Sequence, residues 1–317
     1  MSAHQPVLVE EVVDGLVLVE DGCYVDGTYG RGGHSSEILA RIGRHGRLLA
    51  LDKDPEAVAD GRQRFGRDPR FTIEHAGFED LREAVAPWLG KRALAGVLLD
   101  LGVSSPQLDT VRRGFSFAED GPLDMRMDPT TGQTAAAWLA KASEGELARV
   151  LRDYGEEPRA RRIAAAIVRE RLAAPLTSTV QLARVVSAAA PAAAGRSRSR
   201  IHPATRVFQA LRIVVNDELA VLERGLRASV ELLAAGGRLL VISFHSLEDR
   251  IVKRFIAREE RGDPAWAGLP QVPPEARPRL RRVGRLIRPA DAELARNRRA
   301  RSARLRIAET LAREDAS

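Results

Sequence analysis

A short apolar segment (CYVD) ends at Asp26 and runs into a glycine-rich turn that could bind a nucleotide-type ligand. Gly30, Gly32 and Gly33 would let the backbone approach a ligand closely. A helix is predicted to begin there, and its free amide groups would receive a carboxylate or phosphate. Asp52 ends the next apolar segment, about 20 residues after Gly30, where an acid commonly accepts hydrogen bonds from ribose hydroxyls. The alternative interpretation is a tight turn followed by a helix-capping acid.

Two cofactor classes use a glycine turn of this kind, and the spacing separates them. Dinucleotide dehydrogenases use G-x-G-x-x-G and place a diphosphate on the helix start. Here the pattern is D-x-T-x-G-x-G, which resembles the adenosylmethionine loop D/E-x-G-x-G-x-G of class I methyltransferases, with Thr28 at the first glycine. The carboxylate of Asp26 would attract an ammonium group and repel a diphosphate. The phosphate-binding pattern G-x-x-x-x-G-K-[ST] does not occur, which disfavours a nucleotide hydrolase.

The elements that would position these residues alternate between strand and helix over the first hundred residues. Strands are predicted at 23–26, 47–52, 70–75 and 96–101, with helices between them. The last of these strands is almost wholly apolar, as buried parallel strands are. The pattern predicts a doubly wound parallel α/β sheet.

The alternation then stops and resumes much later. Residues 108–201 contain no convincing strand, and predict a long ordered loop followed by helices. A single long helix is predicted at 205–233 and a strand at 238–244. Residues 264–289 are expected to be irregular, and residues 303–308 to form a final edge strand. The expected organisation is one sheet domain formed by 1–107 and 202–317, interrupted by an inserted helical domain at 108–201.

Composition and charge limit the classes of function. The 317 residues are 44% hydrophobic and 29% charged, enough for a folded core, which excludes a disordered or fibrous protein. The net charge of +7 is unevenly distributed: residues 1–100 carry −5, 196–212 carry +5 and 277–317 carry +8. Such concentration favours a polyanionic partner, although an arginine-rich composition with solvated basic faces is an equal alternative. No apolar run is long enough for a membrane span, so a cytoplasmic protein is expected.

Whole phrases of the sequence, in order, resemble the RsmH (MraW) family of bacterial methyltransferases. These are residues 4–8 (HQPVL), 26–35 (DGTYGRGGHS), 51–55 (LDKDP), 100–107 (DLGVSSPQ), 113–117 (RGFSF), 120–128 (DGPLDMRMD), 202–206 (HPATR) and 243–250 (SFHSLEDR). The resemblance implies a class I (Rossmann-like) methyltransferase sheet with an inserted helical domain. It also implies transfer of a methyl group from S-adenosyl-L-methionine to the N4 amino group of a cytidine in 16S ribosomal RNA, in the decoding region of the small subunit.

Carried over motif by motif, the resemblance also implies a set of cofactor-binding residues. Bottom-up reasons exist for several: Phe78 offers an apolar face to a purine, and Asp100 ends a strand at the edge of the sheet where ligands bind. The expected cofactor-binding set is Asp26, Gly32, Gly33, His34, Asp52, Phe78, Asp100 and Gln107.

The candidates for chemistry follow from how a cytosine can be methylated. Methylation at C5 needs a cysteine nucleophile, and the single cysteine, Cys23, starts a strand rather than ending one. Methylation at N4 needs groups that position the amine and accept its proton. The candidate catalytic residues are Asp100, Ser104, Ser105 and His245, although His245 could equally cap a helix.

The expected partner is 16S ribosomal RNA, with phosphate contacts from the arginine stretches. The candidate RNA-binding residues are Arg196, Arg198, Arg200 and Arg206. No metal site and no membrane contact are expected, and a homodimer is left open. Two alternatives stay open: a ribosome assembly factor with a vestigial pocket, and a methyltransferase acting on DNA or a small molecule.

Overall fold

The computed structural model describes residues 6–190, 202–266 and 271–312. The chain divides into two compact units, one formed by Met1–Gly102 with Leu219–Ser317 and the other by Val103–Glu218. Among the described residues, no helix is long and apolar enough to cross a membrane.

The first unit is built on a seven-stranded sheet of order β3-β2-β1-β4-β5-β7-β6. The strands are β1 (Cys23–Asp26), β2 (Arg47–Asp52), β3 (Phe71–His75), β4 (Leu94–Asp100), β5 (Leu233–Ser243), β6 (Leu280–Ile287) and β7 (Arg304–Thr310). Strands β1 to β5 pair in parallel, whereas β7 pairs antiparallel with both β5 and β6. The α/β sheet expected from the alternation is therefore confirmed.

The helices are α1 (Val9–Leu16), α2 (Gly33–Arg41), α3 (Pro55–Phe65), α4 (Leu81–Leu89), α5 (Ser105–Asp109), α6 (Ala135–Lys141), α7 (Glu144–Asp153), α8 (Ala160–Ala173), α9 (Thr179–Ala189), α10 (Pro203–Asn216), α11 (Glu218–Leu232), α12 (Ser246–Arg261) and α13 (Asp291–Arg296). In the sheet unit, alternate residues of the buried strands enter two separate apolar clusters. Leu49 and Leu99 join one cluster, while Leu48 and Leu98 join the other. Both faces of the sheet are therefore covered, as a doubly wound sheet requires.

The second unit is helical and has its own apolar core. The long loop expected in residues 113–129 is ordered because its carbonyl groups are used. Arg113 donates to the carbonyl oxygens of Arg126 and Met127, at 3.1 and 2.8 Å. Asn216 of α10 donates to the carbonyl of Met125 and accepts from the amide of Met127, at 2.8 and 2.7 Å.

The two units divide at Gly102 and at Glu218 rather than at the expected 107 and 201. Helix α10 belongs to the helical unit because it packs on α6, α7 and α9. The single helix expected at 205–233 is wrong. Asp217 has a φ of +50°, outside the helical region, and it separates α10 from α11.

Two expectations near the carboxyl terminus are also wrong. Residues 264–289 are not wholly irregular, since β6 occupies Leu280–Ile287. β7 is not an edge strand, because it lies between β5 and β6. The arginine-rich sequence of β6 shows no clear alternation of apolar and polar residues. The reason is that β6 forms the edge of the sheet, where charged side chains are tolerated and prevent pairing with a further strand.

Candidate functional site

The turn between β1 and α2 requires glycine at two positions. Gly30 and Gly32 have φ values of +58° and +65°, in the left-handed region that favours glycine. A Cβ atom on Gly32 would also lie 2.6 Å from the ring of Tyr29. That ring is buried, and its hydroxyl donates to Asp60 at 2.8 Å, so it cannot yield. The turn therefore brings bare backbone to the carboxyl edge of the sheet.

Asp26 lies beneath this turn and is 1% exposed. Its carboxylate accepts hydrogen bonds from the amide of Thr28, at 3.2 Å, and from the hydroxyl of Ser35, at 2.6 Å. Burial raises the pKa of the Asp26 carboxyl, against the opposing effect of the Ser35 hydrogen bond. Asp26 thus connects the end of β1 to the first turn of α2.

Asp52 ties the same turn to β2. One carboxylate oxygen accepts from the amide of Gly30 at 2.7 Å, and the other accepts from the amide of Asp54 at 2.8 Å. Burial raises the pKa of the Asp52 carboxyl to about 6. Each carboxylate oxygen can accept a second hydrogen bond, and the side chain is only half-buried, so a ligand hydroxyl could still reach it.

The raised pKa of Asp52 predicts a pH effect on stability. The folded protein holds this proton more tightly than the unfolded chain, so the contribution to stability is largest at low pH. It is lost as pH rises through about 6. Relative to Asp52→Asn, which does not titrate, the wild-type free energy of unfolding should fall by about 1 kcal/mol between about pH 5 and 7.5. Urea denaturation of both proteins at the two pH values measures this, and a constant difference would contradict it.

Asp100, which is half-buried at the end of β4, lies beside the buried His34 at the start of α2. The Nε2 atom of His34 lies 3.5 Å from Oδ2 of Asp100, and His34 is 5% exposed. Burial lowers the pKa of His34, but the nearby carboxylates of Asp100, Asp26 and Glu37 outweigh it and leave the pKa raised. Nδ1 of His34 and Oδ1 of Asp100 have no hydrogen-bond partner within the described part of the chain. Buried polar atoms without partners are uncommon in folded proteins, and these two atoms are placed to form hydrogen bonds with a bound ligand.

Phe78 begins a short 3-10 turn after β3. Its ring lies against Gly225 of α11, which leaves no room for a Cβ atom there, and the residue is half-buried. Beside it, the ammonium group of Lys53 contacts Glu79, whose Oε2 atom is buried without a hydrogen-bond partner among the described residues. Because β3 pairs in parallel with β2, Phe78 and Glu79 follow the same edge of the sheet at which Asp52 ends β2.

In the helical unit, Ser104 and Gln107 hold each other in a capping box at the start of α5. The side-chain oxygen of Gln107 accepts from the amide of Ser104 at 2.9 Å, and the Ser104 hydroxyl accepts from the amide of Gln107 at 3.5 Å. Gln107 and Ser105 are buried. This reciprocal arrangement gives both residue types a local role at the helix start, which was not among the roles expected for them.

His245 caps α12, the structural alternative raised from the sequence. Its Nδ1 atom accepts from the amide of Glu248 at 3.4 Å, and its Nε2 atom lies 3.1 Å from Oε1 of Glu248. The other oxygen of Glu248 accepts from the amides of Phe244 and His245, at 2.8 and 3.2 Å. Because β4 and β5 are parallel neighbours, His245 follows the same edge of the sheet that Asp100 occupies.

The candidate RNA-binding residues are only partly described. Arg196, Arg198 and Arg200 lie outside the described residues. Arg206, on α10, is partly exposed, and its guanidinium lies 3.7 Å from the buried carboxylate of Glu157.

Comparison with known proteins decides the family. A model of the MraW methylase family matches residues 1–311. The chain belongs to the MraW methylase family. A relative from Thioalkalivibrio sulfidiphilus (strain HL-EbGR7), named ribosomal RNA small subunit methyltransferase H, is 58% identical over 313 residues, 98% of each chain. Another of the same name from Xylella fastidiosa (strain M12) is 55% identical over 309 residues, 97% of each chain.

The family resemblance and the enzyme class expected from the sequence are therefore confirmed. This MraW methylase is a methyltransferase, and its sheet is the class I (Rossmann-like) sheet that the resemblance implied.

From the sequence, Thr28 was only a departure from the glycine pattern, and its structural role could not be predicted. The Thr28 hydroxyl accepts the amide of Asp100 at 2.6 Å and so joins the ends of β1 and β4. Ser35, which bonds Asp26, was also missed. A hydroxyl residue two positions beyond a strand-ending acid is a usable signal, but its partner on β4 becomes visible only in the folded chain.

Proposed function

We propose that this protein transfers a methyl group from S-adenosyl-L-methionine to the N4 amino group of a cytidine in 16S ribosomal RNA, in the decoding region of the small subunit. Membership of the MraW methylase family supports methyl transfer. The name carried by relatives 58% and 55% identical over nearly their whole length supports a small-subunit ribosomal RNA substrate.

One observation in the structure carries the proposal. The turn after β1, the acid ending β2 and the acid ending β4 meet at one edge of the sheet. Nδ1 of His34 and Oδ1 of Asp100 are buried there without a hydrogen-bond partner among the described residues. Carboxylates at this edge suit a cationic donor and would repel a diphosphate. The residues present therefore fit S-adenosylmethionine, which when bound supplies a methyl group on a positively charged sulfur.

We propose specific roles for the residues around the donor. Asp52 accepts the ribose hydroxyls, Phe78 covers the adenine, and the backbone of Gly32, Gly33 and His34 receives the carboxylate end of the donor. Asp100 and Gln107 complete the set. Asp26 acts as a positioning residue, since one of its oxygens accepts from Thr28 in the turn, the other accepts from Ser35 in α2, and the side chain is almost fully buried.

In the proposed reaction, the protein has to position the donor and the cytosine amine and to remove a proton from the amine. The amine gives up a proton when it gains the methyl group, so an acceptor must lie nearby. Asp100 is the acceptor we favour because its Oδ1 atom is buried without a partner among the described residues. His245 has Nδ1 occupied by the helix cap, which favours a role in shaping the site. We propose that Ser104 and Ser105 contact the cytosine base, because they follow Asp100 closely in the sequence.

The position of Cys23 supports nitrogen rather than C5 as the methylated atom. Cys23 begins β1, whereas the residues discussed above follow the opposite end of the strands. The thiol is 1% exposed, and burial raises its pKa. A buried, protonated thiol at the amino end of a strand cannot attack a base.

We further propose that the helical unit, with Arg206 and the stretch containing Arg196, Arg198 and Arg200, contacts RNA within the small subunit. A cytoplasmic location follows from such a substrate, and a homodimer is proposed as one possible assembly.

Methylation of small ribosomal subunits purified from cells lacking the enzyme tests the function. Nucleoside mass analysis should show new N4-methylcytidine that depends on S-adenosylmethionine. The absence of any new methylcytidine would overturn the proposal and favour an assembly factor, and new 5-methylcytidine would contradict the choice of nitrogen. In parallel, calorimetry should show donor binding that Asp52→Ala weakens by about tenfold or more, since a charge-assisted hydrogen bond contributes roughly 1.5–3 kcal/mol.

A further inference from the structure

A groove lies between α12 and the edge strand β6 of the sheet unit. The groove is shallow and open, and the space within it, including the part open to solvent, is about 290 Å³. Its lining consists of Lys253, Ile256, Arg282, Val283, Gly284, Arg285, Leu286, Arg306 and Ile307. Four of these nine residues are cationic and none is acidic, so the groove differs in charge from residues 1–100, which carry −5 and contain most of the proposed donor site.

A bulge in β6 builds this groove. Val283 pairs with Ile307, but the next paired residue on β6 is Ile287, opposite Leu305. Three residues on β6 therefore face the single residue Arg306 on β7, and Gly284 has a φ of +68°, which allows the chain to bend away. Bulges re-aim side chains at sheet edges, and this one places Arg285 on the rim of the groove.

The charges of the groove are only half neutralised. Arg282 forms an ion pair with Glu260. Arg306 forms an ion pair with Asp249 at 2.7 Å, and Asp249 also pairs with Arg304. Arg282 and Arg306 lower the pKa of their partner carboxyls, Glu260 and Asp249, the latter against an opposing effect of burial, so both acids are ionised at neutral pH.

The other two cations are not neutralised. Lys253 and Arg285 are exposed and have no ion pair among the described residues. Holding unpaired cations this close to Arg282 and Arg306 costs repulsion, which a bound anion would remove.

We propose that this groove binds phosphates of the RNA backbone, with Lys253 and Arg285 as the principal contacts. The proposal rests on the proposed function, which supplies RNA as the partner, and it adds a second contact surface outside the helical unit. Phosphate contacts of this kind fix the register of the RNA and do not select the base.

The lining favours RNA over an anionic membrane surface. Apolar side chains lie at the floor of the groove, where Ile256 and Ile307 are buried. The lining contains no aromatic residue and no exposed large apolar side chain that could insert into lipid. A concave cationic surface of this kind fits a narrow chain of phosphates better than a flat headgroup layer.

The salt dependence of RNA binding tests the proposal. Fluorescence anisotropy with a short labelled single-stranded RNA of mixed sequence would compare the full-length wild type with Lys253→Gln/Arg285→Gln at several KCl concentrations. Loss of two phosphate contacts should lower the slope of log Kd against log [KCl] by about 1.4 and weaken binding by roughly tenfold. The matched control is Arg62→Gln/Arg67→Gln, which removes two exposed cations near β3, the opposite edge of the same sheet, and neither has an ion pair among the described residues.

The outcomes separate the groove from the proposed function. If the wild type binds RNA and methylates small subunits, but the groove variant keeps the wild-type slope or the control variant loses as much, the groove assignment alone is overturned. If the wild type neither binds RNA nor methylates subunits, the proposed function fails as well. If the groove variant loses affinity for phosphatidylglycerol vesicles but not for RNA, the groove is a membrane contact and the proposal is wrong. Equal donor affinity and melting temperature in all three proteins would confirm that the variants fold.

Discussion

Asp100→Asn is expected to lower the rate of methyl transfer by about 100-fold while leaving the protein folded. Asparagine keeps the shape of the side chain but removes the negative charge next to His34 and next to the proposed position of the cationic donor. Asparagine also cannot take up the proton that the amine loses, and a positioned acid–base group typically contributes 10²–10⁴ in rate. Single-turnover methylation of small subunits, with donor affinity from calorimetry, measures the effect.

A matched control for Asp100→Asn is Glu83→Gln. Glu83 is exposed on α4 with no ion pair among the described residues, so its exchange makes the same carboxyl-to-amide change outside the site. We expect Glu83→Gln to keep the wild-type rate. A wild-type rate for Asp100→Asn, with donor affinity also unchanged, would remove Asp100 from both the donor site and the chemistry.

The second large effect is expected for Gly32→Ala. The alanine must adopt a φ of +65°, which costs about 1 kcal/mol, and its Cβ would lie 2.6 Å from a carbon atom of the Tyr29 ring. Tyr29 is held between Phe65, Phe71 and Asp60, so the turn has to move instead. A displacement of about 1 Å at a catalytic site can cost 10²-fold in rate, and we expect a loss of that order together with weaker donor binding.

Gly132→Ala separates backbone strain from the clash. Gly132 has a φ of +71°, but a Cβ atom there would meet nothing within 4 Å. Gly132→Ala should lose about 1 kcal/mol of stability in urea denaturation. Gly32→Ala should lose more because the clash adds to the strain, and only Gly32→Ala should lose donor binding. Equal donor binding in the two variants would mean that the turn can move without harm to the site.

The local sequence pattern was sufficient to predict the strands in the first half of the sheet. The strands expected at 23–26 and 47–52 match β1 and β2, because buried parallel strands are continuous apolar runs bounded by turn residues. Strand β6 could not be predicted in this way, because its exposed arginines give no apolar pattern. The break at Asp217 could not be predicted either, because the amphipathic pattern continues from one helix into the next.

The candidate site divides in the same way. Gly32 and Asp52 could be chosen from sequence because their roles depend on neighbours along the chain: a positive φ after a strand, and an acid at the end of the next strand. The hydrogen bond from the amide of Asp100 to the hydroxyl of Thr28 could not be predicted from the sequence, because 72 residues separate the two partners.

The sequence by itself determined the family, the alternating α/β elements, the glycine turn and the acids that end β1, β2 and β4. These features are encoded by residues close together in the chain. Only the tertiary structure decided that His34 pairs with Asp100, that His245 caps a helix, and that a bulged edge strand forms a cationic groove with α12. The physical reason is that each of these contacts depends on which distant segments are brought together by the parallel strands and the antiparallel end of the sheet. A local sequence pattern does not contain that information.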